Sequence, residues 1–344
     1  MACYHPLIGI HDGYNENGKR HFKIVPYNEN YLLDPYWKDR CVTIPCGQCV
    51  GCRIEYSRQW ANRCMLELEY HDSAYFITLT YNDDYLPITY YADPETGESL
   101  PAATLCKRDW QLFMKRLRKA FPDDKIRFFM CGEYGDGTFR PHYHAIIYGL
   151  HLNDLVPYKR SPDGKFMYYN SPCLQRCWSV VEKCQDCITP IAYPIGFAVV
   201  ANVTWETCAY VARYVMKKQK GPMAQVYQDF NIVPPFTLMS RKPGIARQWY
   251  DDHPDCYDYE FINIKTETGG KKFRPPRYFD SLLELDQPEK YEKMKETRRR
   301  MAEASQAAKK RETSLSFTEA LEVQERSVAD RLKKLQRRLD SEKT

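Results

Sequence analysis

Four stretches of the chain carry apolar residues in the manner of β-strands. Ser73–Tyr81, Ile126–Cys131, Phe139–Tyr148 and Phe197–Val203 are short and rich in β-branched or aromatic side chains. Between the first two, Lys107–Ala120 brings Trp110, Phe113, Met114 and Leu117 round to one side at helical spacing, with Lys115, Arg116, Arg118 and Lys119 on the other. A second helix is predicted from about Arg53 to Tyr70. A third starts at Thr204, a suitable N-cap, and stops at Gly221-Pro222. Gly132-Glu133-Tyr134-Gly135-Asp136-Gly137 turns the strand ending at Cys131 back toward Arg140, so those two strands are expected to pair antiparallel. The pattern is α+β, with an antiparallel sheet and flanking helices.

The remaining segments read differently. Residues 1–43 are rich in Tyr, Asn, Gly and Pro; Gly9–Gly13 reads as a turn and His21–Val25 as a short strand. A long loop is expected through Asp93–Gly97, polar turns over Asn153–Asn170, and irregular chain over Pro234–Ala246, ending in a basic loop with Arg241 and Lys242. Phe261–Ile264 reads as a strand and Lys271–Tyr278 as a basic extended stretch. From Leu282 glycine disappears, and Glu, Lys, Arg, Gln and Ala dominate. That tail is expected to be a charged helix. Val328, Leu332, Leu335 and Leu339 form a coiled-coil seam or pack back on the main domain; otherwise the tail is partly disordered. The expected division is residues 1–72, a catalytic domain over 73–280, and the tail over 281–344.

The chain has 344 residues, enough for a sizeable core, and its formal charge of +5 is small, so the placement of basic residues matters more than their sum. No apolar run is long enough to span a bilayer, and the first residues do not read as a signal peptide. Fourteen cysteines in a long chain without an export signal point to thiols in a reducing cytosol, some of them bound to metal. Cys46, Cys49 and Cys52 recur at intervals of three. They form a candidate zinc site with a fourth ligand from Cys41, Cys3, His5 or Cys64, or a tight turn with unbound thiols. Cys173, Cys177, Cys184 and Cys187 form a second candidate, a zinc knuckle bracing an insertion near 173–187.

The chemistry centres on two motifs. In Arg140-Pro141-His142-Tyr143-His144, strand periodicity projects His142 and His144 to one face and Tyr143 to the other. Glu133, near the end of the preceding strand, is positioned as a third ligand, a donor set suited to Mg²⁺ or Mn²⁺. In Tyr210-Val211-Ala212-Arg213-Tyr214-Val215-Met216-Lys217-Lys218, helical spacing stacks Tyr210 and Tyr214 one turn apart. Arg213 and Lys217 each follow a tyrosine by three residues, placed to steady phenolate or phosphate charge. A cation site with two aligned phenols suits cutting and rejoining a phosphodiester. Arg140, Lys218, Lys115, Arg116, Arg118, Lys119, Arg241 and Lys242 are candidate DNA contacts. The bland alternatives are chance histidines on a surface, aromatic core packing on the helix and solvated basic faces.

Together with Met1–Pro6, Pro45–Arg53 and Gly132–Gly135, these motifs resemble the replication initiation proteins of gokushovirus-type microviruses, within the HUH endonuclease superfamily. The resemblance runs from the N-terminus to about residue 220. It implies a split ferredoxin-like sheet with the histidine pair on a central strand, and Mg²⁺ or Mn²⁺ held by His142 and His144, with Glu133 as a less constant third ligand. It also implies Tyr210 and Tyr214 as nucleophiles in nicking and rejoining of viral DNA. The implied partners are viral single-stranded DNA, replicative-form origin DNA, and a host helicase and polymerase in the bacterial cytoplasm, with no membrane. A non-catalytic DNA-binding or packaging protein, and a relaxase or transposase using the same chemistry, are the competing readings.

Overall fold

The computed structural model describes residues 3–341 except 17, 19, 136, 162–163, 165–166, 183–190, 205–206, 209–210, 213–223 and 267–268. The chain divides into two compact units, Met1–Tyr56 with Leu282–Thr344, and Ser57–Ser281.

In the first unit, β1 (Leu7–Tyr14) pairs antiparallel with both β2 (Arg20–Pro26) and β3 (Cys41–Ile44). Gly9–Gly13, expected as a turn, therefore lies within a strand. Two flanking strands absorb its backbone hydrogen bonds, and the register shifts between His11 and Gly13, where Gly13 takes φ 146. Two single-turn helices follow β2, α1 (Asn30–Leu33) and α2 (Pro35–Lys38), the latter capped by the Asp34 carboxylate. Then α3 (Val50–Leu68) begins in this unit and continues into the next. The tail is helical over Pro288–Glu312 and Phe317–Ser341; Leu321 is buried, and the Phe317 ring lies 5.3 Å from that of Tyr27. The tail thus groups with the N-terminal strands. Of the expected seam, the side chains of Leu332, Leu335 and Leu339 lie outside the described residues.

The second unit is built on a sheet of seven strands. It contains β4 (Ala74–Thr80), then a separate hairpin of β5 (Ile88–Ala92) and β6 (Ser99–Ala103), and the helix α4 (Lys107–Ala120). Next come β7 (Arg127–Tyr134), β8 (Pro141–Tyr148), β9 (Val156–Arg160), β10 (Met167–Asn170) and the short helix α5 (Pro172–Cys177). A second hairpin, β11 (Ser179–Glu182) with β12 (Ile191–Pro194), precedes β13 (Ala198–Asn202) and β14 (Phe236–Met239). The sheet order is β14-β7-β8-β4-β13-β10-β9, and every pairing in it is antiparallel. The last hairpin, β15 (Ile262–Thr266) with β16 (Gly269–Phe273), stands apart from it.

The expected helix Lys107–Ala120 and the four core strands are present, and Glu133 proves to lie within β7. Three expectations fail. The loop around Asp93–Gly97 is the turn of the β5–β6 hairpin, Asn153–Asn170 contains β9 and β10, and Pro234–Ala246 contains the edge strand β14. Each is a short or edge strand whose ladder partner, not its own pattern, holds it extended.

Alternation along the strands gives the sheet two apolar faces. On one, Trp110, Phe113, Met114 and Leu117 of α4 pack with Leu79, Met130, Tyr143, Ile147 and Trp178. On the other, Cys64 of α3 packs with Phe76, Phe129, Ile146 and Tyr148, and Trp60 stacks on Phe129 at 4.7 Å. The central strand β8 is buried almost throughout. Buried Glu67 of α3 accepts from Arg127 on β7 and from the Ala246 backbone N–H at 2.5 Å, tying the chain after β14 to the sheet.

The entry into β13 is equally tight. A Cβ on Gly196 would lie 2.0 Å from the Thr80 carbonyl oxygen, which already accepts the Trp178 indole N–H at 2.7 Å. Gly196→Ala is therefore expected to destabilise the protein by about 1–3 kcal/mol or more, read as a lower urea midpoint at unchanged slope.

Candidate metal centre

Register places the site. Residues directly opposite in an antiparallel ladder share a face. His142 on β8 pairs with Glu133 on β7 and Thr80 on β4, and His144 pairs with Cys131 and Thr78. Thr80 in turn exchanges backbone and hydroxyl hydrogen bonds with Phe197 at the start of β13. One row across the sheet thus reads Glu133–His142–Thr80–Phe197, and the next reads Cys131–His144–Thr78–Val199.

Both imidazoles converge on one carboxylate oxygen. His142 Nε2 lies 2.8 Å and His144 Nε2 3.3 Å from Glu133 Oε1, and the two rings meet edge-on at 4.9 Å. The far side of each ring is held. His142 Nδ1 donates to the Arg140 carbonyl at 3.1 Å, and His144 Nδ1 faces the Thr78 hydroxyl at 2.9 Å while its ring stacks on Phe76. A carbonyl oxygen only accepts, so the proton of neutral His142 sits on Nδ1 and its Nε2 presents a lone pair. That lone pair faces a carboxylate oxygen, an arrangement that requires a proton or a cation between them. Ligand atoms of Glu133, His142 and His144 all lie within 4.8 Å of one another, so the residues present fit a divalent cation. Burial alone would raise the Glu133 carboxyl; contacts with His142 and His144 outweigh it and hold it down at about 2.

Sequence reasoning named these three residues and missed two others. Thr78 orients His144 from the neighbouring strand, a role visible only once β4 and β8 are in register. Phe197, 72% exposed, shares the row of His142 two strands away, about 10 Å at the usual strand spacing.

The other candidate residues are distributed more widely. Tyr210, Arg213, Tyr214, Lys217 and Lys218 lie outside the described residues. The Thr204 cap forms, its hydroxyl accepting from Thr207 N–H at 3.2 Å. Cys208 and Val211, on either side of Tyr210 in the sequence, are fully buried in the cluster on the histidine-bearing face. Arg140 stands at the site's end of the sheet, donating to the Asp83 carboxylate at 2.6 Å and the Tyr81 carbonyl. Lys115, Arg118 and Lys119 are on α4, but that helix covers the opposite face of the sheet from the histidines. Arg116 is turned inward: its Nε donates to the Cys177 carbonyl at 2.7 Å, so it holds α4 to α5 instead of facing solvent phosphate. Arg118, Arg241 and Lys242 do meet, with Arg127, around a cavity of about 480 Å³ at the Arg127 end of β7. Glu133 is six residues further along that strand, about 20 Å away. In the cysteine-rich insertion, Cys173 is exposed, Cys177 is buried in the α4-side core, and Cys184 and Cys187 lie outside the described residues.

A buried carboxylate and two imidazoles set for a cation on a central antiparallel strand mark a protein with the means for metal-dependent chemistry. Residues 74–219, spanning β4 through β13 and the two-tyrosine segment, match the family model of the replication-associated protein ORF2. The chain is related to phage replication proteins. It is 27% identical to the replication-associated protein ORF2 of Spiroplasma virus 4 over the full length of both. It is 26% identical to the replication-associated protein VP4 of Bdellovibrio phage phiMH2K, over 72% of this chain and 69% of the relative. To ORF4 of Chlamydia phage 1, also a replication-associated protein, it is 28% identical over 76% of this chain and 59% of the relative. The resemblance to gokushovirus-type replication proteins is thereby borne out. No solved structure matches. No helix among the described residues is long and apolar enough to cross a membrane.

The low Glu133 pKa makes stability depend on acid. A carboxyl at 4.5 when unfolded and about 2 when folded contributes stability that is complete above pH 4.5 and lost as pH falls through about 2. In chelator, the wild type is expected to lose more unfolding free energy between those limits than Glu133→Gln, measured by urea titration at each pH.

Proposed function

We propose that this protein initiates rolling-circle replication as an origin-specific, single-strand DNA endonuclease of the HUH type, and that it also rejoins the strand it cuts. The observation that carries this reading is the convergence of His142 Nε2 and His144 Nε2 on Glu133 Oε1, with both far ring nitrogens held from behind. A divalent cation bound there, Mg²⁺ or Mn²⁺, would draw charge from a backbone phosphate.

The protein's own groups supply the rest. A hydroxyl of Tyr210 or Tyr214 attacks phosphorus, its proton passing to solvent or a neighbouring base. The bond from phosphorus to the 3′-oxygen breaks, and that oxygen leaves as the 3′-hydroxyl primer. The 5′ side stays as a phosphotyrosine ester, so the reverse attack reseals DNA without ATP. The second tyrosine provides a second transfer while the first end remains attached. Burial of Cys208 and Val211 against the histidine-bearing face supports this pairing of motifs. Arg213 and Lys217 steady charge on the phenolate, and Arg140 approaches the phosphate from the site's rim. Phe197 gives an exposed ring on which the base beside the cut can stack. The cations Arg118, Arg241 and Lys242, with Lys115, Lys119 and Lys218, contact the backbone away from the cut. Viral single-stranded DNA, replicative-form DNA and the host replication machinery are the partners of such an enzyme.

With Mn²⁺ and a labelled single-stranded origin oligonucleotide, wild type is expected to form a covalent adduct on a denaturing gel. Tyr210→Phe and Tyr214→Phe each retain adduct, while the double variant forms none; an adduct in the double variant defeats the assignment of the nucleophiles. His142→Ala is expected to lose at least about a hundredfold in metal-dependent cleavage yet keep salt-sensitive DNA binding. Phe197→Ala should weaken single-strand binding by about 1–3 kcal/mol, measured by fluorescence anisotropy, and leave Mn²⁺ affinity unchanged.

A further inference from the structure

The first unit contains a second constellation, remote in sequence from the histidine pair and built only from sulfur. Sγ atoms of Cys3, Cys46, Cys49 and Cys52 all lie within 4.8 Å of one another. Cys3 and Cys49 stand 4.0 Å apart. A disulfide requires about 2.05 Å, whereas the edge of a tetrahedron with metal–sulfur bonds of about 2.3 Å is about 3.8 Å. The spacing is that of four ligands around one ion.

The backbone is arranged for negatively charged sulfur. Gln48 N–H and Cys49 N–H donate to Cys46 Sγ at 3.4 and 3.3 Å. Gly47, in the left-handed region at φ 72, lets the chain curl so that both amides face the same atom. Cys46 N–H donates to Cys3 Sγ at 3.3 Å, and Tyr4 N–H and Cys52 N–H donate to Cys49 Sγ at 3.3 and 3.5 Å. A neutral thiol is a weak acceptor, so five amides aimed at three sulfurs fit thiolates. Four thiolates at this separation repel unless a cation neutralises them.

The unit also needs such a brace. Among the described residues of 3–56, the buried apolar side chains are Ile8 and three cysteines, Cys3, Cys41 and Cys49. A three-stranded sheet with so little core gains stability when an ion closes its chain. Cys3 adjoins β1, Cys46 and Cys49 lie between β3 and α3, and Cys52 is in the first turn of α3.

We propose that Cys3, Cys46, Cys49 and Cys52 bind a structural zinc ion that joins the N-terminus to the start of α3. Soft sulfur donors in tetrahedral array select zinc over the hard cations that suit His142, His144 and Glu133. Binding releases the protons of any neutral thiols, with no change in oxidation state. Cys3, 43 residues before Cys46, is the fourth ligand, and Cys41, His5 and Cys64 are not.

Full-length protein purified without chelator is expected to carry one zinc per chain by mass spectrometry of the metal. The zinc should remain in His142→Ala and in a Cys173→Ser, Cys177→Ser variant, and fall to near zero in Cys46→Ser, Cys49→Ser. Should that last variant not fold, Cys3→Ser read by competition with a chromogenic chelator is expected to lose at least about tenfold in zinc affinity. Cys3→His, which keeps four ligands, should recover most of it. Cobalt exchanged into wild type should show thiolate-to-metal charge transfer of a four-sulfur site. Zinc-free wild type with four freely alkylated thiols, iron in place of zinc, unchanged affinity in Cys3→Ser, or loss of zinc from the Cys173→Ser, Cys177→Ser variant would each overturn the proposal.

Discussion

The hydroxyl of Tyr143 fixes what the rest of the second unit depends on, the register of β8. It lies 2.8 Å from the Tyr81 hydroxyl, donates to the Cys106 carbonyl at 2.7 Å and accepts the Cys106 N–H at 3.1 Å, all in a buried setting. An unpaired phenol there would cost about 1–3 kcal/mol, so Tyr143 faces α4. Because strand faces alternate, its neighbours His142 and His144 must then face the other way. A slip of one residue would bury both imidazoles against Trp110 and Phe113 and turn Tyr143 outward. The middle residue of the motif is as much a part of the site as the two that flank it.

The same register explains why the centre is assembled from three strands and no loop. Glu133, His142 and Thr78 come from β7, β8 and β4, all inside one hydrogen-bonded sheet. Positions set by ladders move less than positions set by turns, and the ring nitrogens facing away from the centre are each engaged. The basic side chains behave differently. Arg140 sits at the rim, while Arg118, Arg241 and Lys242 gather at the far end of β7. A strand of nucleic acid is long enough to reach both, whereas a mononucleotide is not.

Much of this was legible from the sequence where the signal is local. The spacing of His142 and His144, the apolar face of α4 and the Thr204 cap each depend on residues a few positions apart. Glu133 was legible because a short turn places it opposite His142. What sequence reading missed depends on distant chain. Thr78 meets His144 across 66 residues, and Phe197 joins the row through Thr80 across 117. The Cys46–Cys49–Cys52 run was visible, but Cys3 could not be preferred over Cys41, His5 or Cys64 before β1 and β3 were known to pair. Strands β9, β10 and β14 were hidden because their residues become strand by borrowing a partner's ladder.

The sheet's outer strand, β9, carries a further consequence. All five of its residues are exposed, and only one side of it is paired. An open ladder of this kind invites a second copy to add on and start a fibre. Here Pro157 lacks an amide proton to offer, Lys159 and Arg160 place like charges where two copies would meet, and the register is broken between Tyr168 and Tyr169 on the strand behind. A protein made in quantity inside a crowded host can thus leave that border uncovered and still resist aggregation along it.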